Sequence, residues 1–166
     1  MTGVRLIFFP DAGGSPSRLH PLPYSPDVEV LAVQYRGDRL PDRIAREVLS
    51  LGERPTVFFG HARGAPLAFE TVRLLETTTP GPYSLVLLTN YQCPPSGPLR
   101  SPISVVTGSP KSAMDETWRA GTLGAFRLKV FADAEFSVND YVAVVNHEID
   151  RMARWVSTSR RYLTMF

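Results

Sequence analysis

The chain has a single cysteine, Cys93, among its 166 residues, so it can close no internal disulfide. It has three histidines, and none is spaced with other ligand types in a way that suggests a metal site. The glycines of "DAGGSP" lack the lysine and spacing of a P-loop. No apolar run approaches the roughly 20 residues needed to cross a bilayer. The opening stretch, "MTGVRLIFFPDAGG", goes straight into a strand pattern, without the basic head, long apolar stretch and cleavage site of a signal peptide. A cytoplasmic location is the expectation. Surplus charge is also scarce. The net charge is +2 with acids and bases interspersed, which argues against a nucleic-acid binder.

What is present is a globular composition. Apolar residues make up 43% and charged residues 20%, enough to bury a core in one domain over residues 1–166. The 15 prolines fall mostly in loop stretches such as "SPSRLHPLPYSP", "TTTPGP" and "CPPSGPLRSP". Between them, apolar runs at 4–10, 28–35, 55–60, 83–90, 101–108 and 126–132 alternate with helical patterns at 39–51, 64–77, 113–121 and 139–158. The last helix carries apolar positions at Tyr141, Val144, Val145, Ile149, Met152 and Trp155. Nearly continuous Val, Leu, Ile and Phe runs are how strands look when helices cover both faces. The pattern predicts an α/β fold with a mostly parallel sheet of six or seven strands. Ligands in such sheets bind at the carboxyl ends of the strands, which confines the search for chemistry to six loops.

One of these loops is arresting. In "FFGHARGAPLAFE" a strand enters a glycine turn and leaves as a helix, the layout of a nucleophile elbow, G-x-S-x-G. The five residues are Gly60, His61, Ala62, Arg63 and Gly64, so a methyl group stands where the attacking hydroxyl would be.

Four stretches together resemble the stand-alone (type II) thioesterases of polyketide and nonribosomal peptide synthesis, which have the α/β-hydrolase fold. "LIFFPDAGGSPSRLHPL" is similar to their first strand and the glycine loop that gives one oxyanion-hole amide. "VEVLAVQYRGDRL" is similar to their second strand and turn, "VFFGHARGAPLAFETVRLLE" to their elbow, and "FRLKVFADAEFSV" to their last strand and histidine loop. The resemblance implies no cofactor and a substrate that is a polyketide or peptide intermediate, free or bound to a carrier protein.

Against that pattern, Ala62 replaces the serine and Glu135 stands at the histidine position. "SPKSAMD" places Lys111 near the triad aspartate, with Asp115 reachable only through a reshaped loop. The family's helical lid has no room in "YQCPPSGPLRSP", which leaves the cleft open to a second copy or a synthase partner. Loss of the nucleophile alone costs on the order of 10^6 in turnover. Serine-type hydrolysis is therefore not the expectation.

Two readings stand side by side. In the first, the protein is repurposed for acid–base cyclisation, isomerisation or dehydration of an intermediate. Glu135 and Asp11 are its catalytic groups, and Arg63, Ala62, His61, Ala12 and Cys93 contact the substrate. In the second it is a pseudo-thioesterase that binds a carrier protein, a synthase or its product. Residual thioester hydrolysis comes third. His61 also has a structural reading, because the family has histidine there without a catalytic role. Arg63 has one too, as an ion-pair partner of Glu135 or Asp11. Cys93 lacks an evident histidine partner and is not expected to be a nucleophile.

Overall fold

The computed structural model describes residues 3–11, 28–35, 40–79, 81–89, 91–107, 113–130 and 138–164. Six strands and four helices alternate: β1 (Arg5–Phe9), β2 (Glu29–Ala32), α1 (Leu40–Ser50), β3 (Thr56–His61), α2 (Gly64–Thr78), β4 (Tyr83–Leu88), β5 (Ile103–Thr107), α3 (Ala113–Arg119), β6 (Phe126–Val130) and α4 (Val138–Thr164). Every predicted run became the expected kind of element. The strands form one sheet in the order β2-β1-β3-β4-β5-β6. Each neighbouring pair is parallel.

The side-chain period of two sorts the strands' apolar residues into two cores. Ile7, Phe9, Phe58, Leu85, Leu87 and Val105 face α1 and α2, together with the buried Trp118 of α3. Leu6, Phe8, Val57, Phe59, Val86 and Val106 face Val145, Ile149 and Met152 of α4. The expected helices on both faces are therefore present. Leu6, Phe9, Val57 and Phe58 are fully buried, which explains why these strands read as continuous apolar runs rather than alternating ones.

Two features differ in extent from the sequence expectation. Helix α4 runs to Thr164, past the predicted end at 158. Trp155, counted in its apolar stripe, is 57% exposed. Between β4 and β5 the described residues form no helix. This interval is tied down by an isolated bridge from Leu99 to Thr122, and its described residues include no lid element. Among the described residues, no helix is long and apolar enough to cross a membrane.

The strand order locates the functional end. From β1 the chain steps outward to β2, then back across to β3 on the other side of β1. The crevice of an open α/β sheet forms at such a reversal, outside the carboxyl ends of the two strands. Asp11 follows β1 there, and His61, Ala62 and Arg63 close β3 there.

Candidate functional site

The elbow is built by close backbone approach. A Cβ placed on Gly60 would lie 2.7 Å from the Ala65 Cα, and one on Gly64 would lie 2.2 Å from the Phe9 carbonyl oxygen. Only glycine lets strand β3, the turn and helix α2 come this near to each other and to β1. Between them Ala62 has φ +50°, the only non-glycine positive φ among the described residues. This is the left-handed backbone that a nucleophile elbow imposes on its central residue. Hydrogen bonds fix it on three sides. The Ala62 N–H donates to the Leu88 carbonyl at 2.7 Å. The Ala62 carbonyl accepts from the Ala65 N–H at 3.1 Å and from the Thr89 hydroxyl at 3.0 Å.

The next residue carries the decisive geometry. The Arg63 N–H, at the start of α2, donates to Asp11 Oδ1 at 3.2 Å. A helix N-terminus favours an anion, and here the chain supplies the anion itself. In a serine hydrolase the amide after the nucleophile holds the oxyanion. In this protein that amide already holds a carboxylate.

The Arg63 side chain turns elsewhere. Its Nε donates to the Tyr91 hydroxyl at 3.1 Å, and the Tyr91 N–H donates to Thr89 Oγ1 at 3.0 Å. Arg63 thus meets Asp11 through its backbone N–H and Tyr91 through its side chain. Tyr35, just past β2, donates its hydroxyl to the Pro10 carbonyl. Burial raises the Tyr35 phenol well above its ordinary range, and the nearby Asp11 charge adds to the shift.

His61 ends β3 half-buried. Burial pushes its imidazole below the ordinary value, and Asp11 opposes that shift. As pH falls through about 6.5, the unfolded chain takes up a proton that the folded imidazole resists. This contribution to stability is therefore full above that pH and falls away towards acid. His61→Gln is expected to flatten the dependence of Tm on pH between about 5 and 6.5. Equal slopes for variant and parent would show that the imidazole titrates as it does in water.

Of the residues expected at the site, Asp11, His61, Ala62 and Arg63 come together at the β1–β3 crevice. Cys93 is placed against the end of α3. Its N–H donates to the Thr117 hydroxyl at 2.9 Å, and its Sγ would lie 2.7 Å from a Cβ on Gly121. Burial pushes the Cys93 thiol up to about 12, with the Glu70 charge as a second cause, so it is not a nucleophile at neutral pH. Glu135, Ala12 and Lys111 lie outside the described residues, as does the side chain of Asp115. Tyr35, Thr89 and Tyr91 were not singled out from sequence. The signal available was their place in "QYRG" and "TNYQC", just past the ends of β2 and β4. Among the described residues no group of three His, Cys, Asp or Glu could hold a metal ion.

Comparison with known proteins decides the family. The thioesterase domain model matches residues 4–92, more than half of the chain. This chain belongs to the thioesterase family. It is 31% identical over 221 residues to a probable cadicidin biosynthesis thioesterase of Streptomyces griseus, covering 88% of this chain and 61% of that protein. It is 38% identical over 96 residues to thioesterase PikA5 of Streptomyces venezuelae, covering 45% of this chain and 32% of that protein. The chain thus spans about three-fifths and about one-third of these relatives. The first aligned stretch is longer than the whole chain, so that thioesterase carries extra residues inside the match. Among solved structures, the type II thioesterase BorB from the borrelidin cluster superposes with TM-score 0.75 at 22% identity, covering 91% of this chain and 93% of BorB. The prodiginine-pathway thioesterase RedJ of Streptomyces coelicolor gives 0.69 at 20% identity, covering 87% and 85%. These two likenesses show the thioesterase α/β-hydrolase fold.

Proposed function

We propose that this protein serves polyketide or nonribosomal peptide biosynthesis in the cytoplasm, as a single trimmed thioesterase-like domain over residues 1–166 that no longer hydrolyses through a serine. In this reading the crevice over Ala62 binds a biosynthetic intermediate, free or carrier-bound. One observation carries it: the Arg63 amide donates to Asp11. A carbonyl oxygen gaining charge at that amide would meet a carboxylate, and like charges at such range oppose the tetrahedral intermediate that hydrolysis needs. The Ala62 methyl leaves the space above the turn to a substrate atom. At the rim, the exposed Arg63 guanidinium is bonded to a neutral phenol and can attract an anionic group such as a pantetheine phosphate. The biosynthetic setting is supported by family membership and by the named pathways of the similar thioesterases. Without a lid element between β4 and β5, the open end is also where a synthase or second copy would dock.

A second reading, acid–base cyclisation, isomerisation or dehydration, is favoured by the place of the Asp11 carboxylate at the crevice, on the Arg63 amide beside Ala62. One set of experiments tests both. Acyl-pantetheine is expected to bind the protein without being cleaved. Arg63→Met should weaken that binding about tenfold through loss of a charge-assisted contact. Cleavage at ordinary hydrolase rates, or no binding at all, overturns the first reading. In a producing strain, mass spectrometry decides between binder and enzyme. Lower yield of an unchanged product on gene deletion supports binding. A changed product, reproduced by Asp11→Asn, supports proton transfer.

A further inference from the structure

A second cavity lies at the opposite end of the sheet from the elbow. It has a volume of about 390 Å3 and opens between the start of β4, the residues just before β5 and β6, and the later turns of α4. Glu148, Arg151, Met152 and Trp155 line it from α4. Their spacing of i, i+3, i+4 and i+7 puts them on one stripe of that helix.

The charges around the cavity do not cancel. Glu148 is 4% exposed and fully engaged: Oε1 accepts from the Ser84 hydroxyl at 2.6 Å and Oε2 from Arg127 Nη1 at 3.5 Å. Glu76, on the other wall, accepts the backbone N–H groups of Arg100 at 3.0 Å and Ser101 at 2.8 Å. Both carboxylates are thus used, while three guanidinium groups, Arg100, Arg127 and Arg151, line the same space. Arg151 Nη1 is buried with no hydrogen-bond partner among the described residues, and Nη2 comes within 3.5 Å of His147 Nε2. Among the described residues the Arg100 guanidinium joins no ion pair. A buried guanidinium N–H without a partner is costly and rare. Beside it Trp155 is 57% exposed, and Pro82, Pro102 and Met152 complete an apolar wall. An open indole face next to an unpaired cation is suited to a molecule that is apolar at one end and anionic at the other.

We propose that this cavity binds a small organic carboxylate with a flat or short apolar body. The carboxylate is held by Arg151 with Arg100 near it, and the body lies against Trp155 and Met152. One surplus positive charge matches a monoanion, and the volume falls in the range of small-molecule sites. The site is separate from the elbow and independent of what the elbow does.

The two tryptophans make the test direct. Trp118 is 1% exposed, so a ligand in the cavity touches only the other one, Trp155. The whole chain is titrated with 4-phenylbutyrate while indole emission is followed, and with 4-phenylbutyramide and inorganic phosphate in parallel. A saturable emission change with the carboxylate is expected, lost in Trp155→Phe and at least tenfold weaker with the amide. Arg151→Met should raise the Kd about tenfold, the cost of one charge-assisted contact. If Arg151→Met does not fold, Arg100→Met at the exposed rim takes its place and should raise the Kd several-fold. No saturation up to about 10 mM, equal binding of the amide, or a Kd unmoved by the arginine variant overturns the proposal. Phosphate binding as tightly as the carboxylate would also overturn it, because the apolar wall would then contribute nothing.

Discussion

Ala62→Ser is expected to leave the protein on the order of 10^6 below a working serine hydrolase in turnover. The variant would regain a hydroxyl at the apex of the elbow. A serine at its free pKa is a weak nucleophile, however, and needs an imidazole to take its proton. Removing the base from an intact triad costs about as much as removing the serine. The family resemblance implies Glu135 at the position of that base. His61 is the last residue of β3 and is half-buried. The second obstacle is Asp11, whose carboxylate holds the Arg63 amide at 3.2 Å. Loss of one oxyanion donor is worth about 10^2–10^3 in turnover. Adding Asp11→Asn to Ala62→Ser should therefore not rescue activity, because the missing base remains. Acyl-pantetheine hydrolysis by the single and double variants is the measurement. A gain of several orders of magnitude in either would mean that a histidine reaches the serine.

The largest effect on stability should come from one methyl group. Gly64→Ala is expected to cost at least about 3 kcal/mol, a sizeable share of the roughly 5–15 kcal/mol that holds a domain together. The new Cβ would lie 2.2 Å from the Phe9 carbonyl oxygen and 2.7 Å from that of Pro10. Both are backbone atoms, and β1 has neighbours on both sides: Phe9 registers with Gly60 of β3, and the Phe8 carbonyl accepts the Val33 N–H at 2.9 Å. To relieve the clash, α2 would have to lift off the sheet and uncover Ala65, Ala68 and Phe69, all fully buried. Gly52→Ala is the control. Its φ is +88° but nothing lies within 4 Å of the added Cβ. It should cost only the left-handed penalty of about 1–2 kcal/mol. Chemical denaturation of the two variants compares them directly. A Gly64→Ala loss no larger than that of Gly52→Ala would show that the contact between α2 and β1 is soft.

The architecture was legible because the central strands β1, β3, β4 and β5 are buried on both faces and so carry continuous apolar runs, while the helices carry period 3.6. The elbow was legible because its glycines are forced by backbone contact, which leaves a mark in the sequence whatever the side chain at its centre. Helix α4 passed its predicted end because residues 156–164 hold neither glycine nor proline to stop it, while the apolar periodicity used to bound it ends at Trp155. Trp155 itself looked like a core residue, since hydrophobic spacing does not report where the sheet beneath a helix runs out. The group that meets Asp11 is not readable from sequence: charge offers the Arg63 guanidinium as one partner, while the fold presents the Arg63 amide, a group that every residue except proline carries and no sequence pattern reveals. Tyr91 was overlooked because its role depends on where Arg63 goes once Asp11 has taken that amide.

The left-handed turn at Ala62 has a consequence for what the gene can become. The backbone is held there by Gly60, Gly64 and the bonds to Leu88, Ala65 and Thr89, none of which involves the side chain of residue 62. The turn is therefore a pedestal. A side chain that is neither proline nor β-branched is lifted to the same point above the sheet without rebuilding the scaffold. Within that set a single nucleotide step can alter the displayed group while the support stays in place, so the chemistry at this position can change while the fold does not.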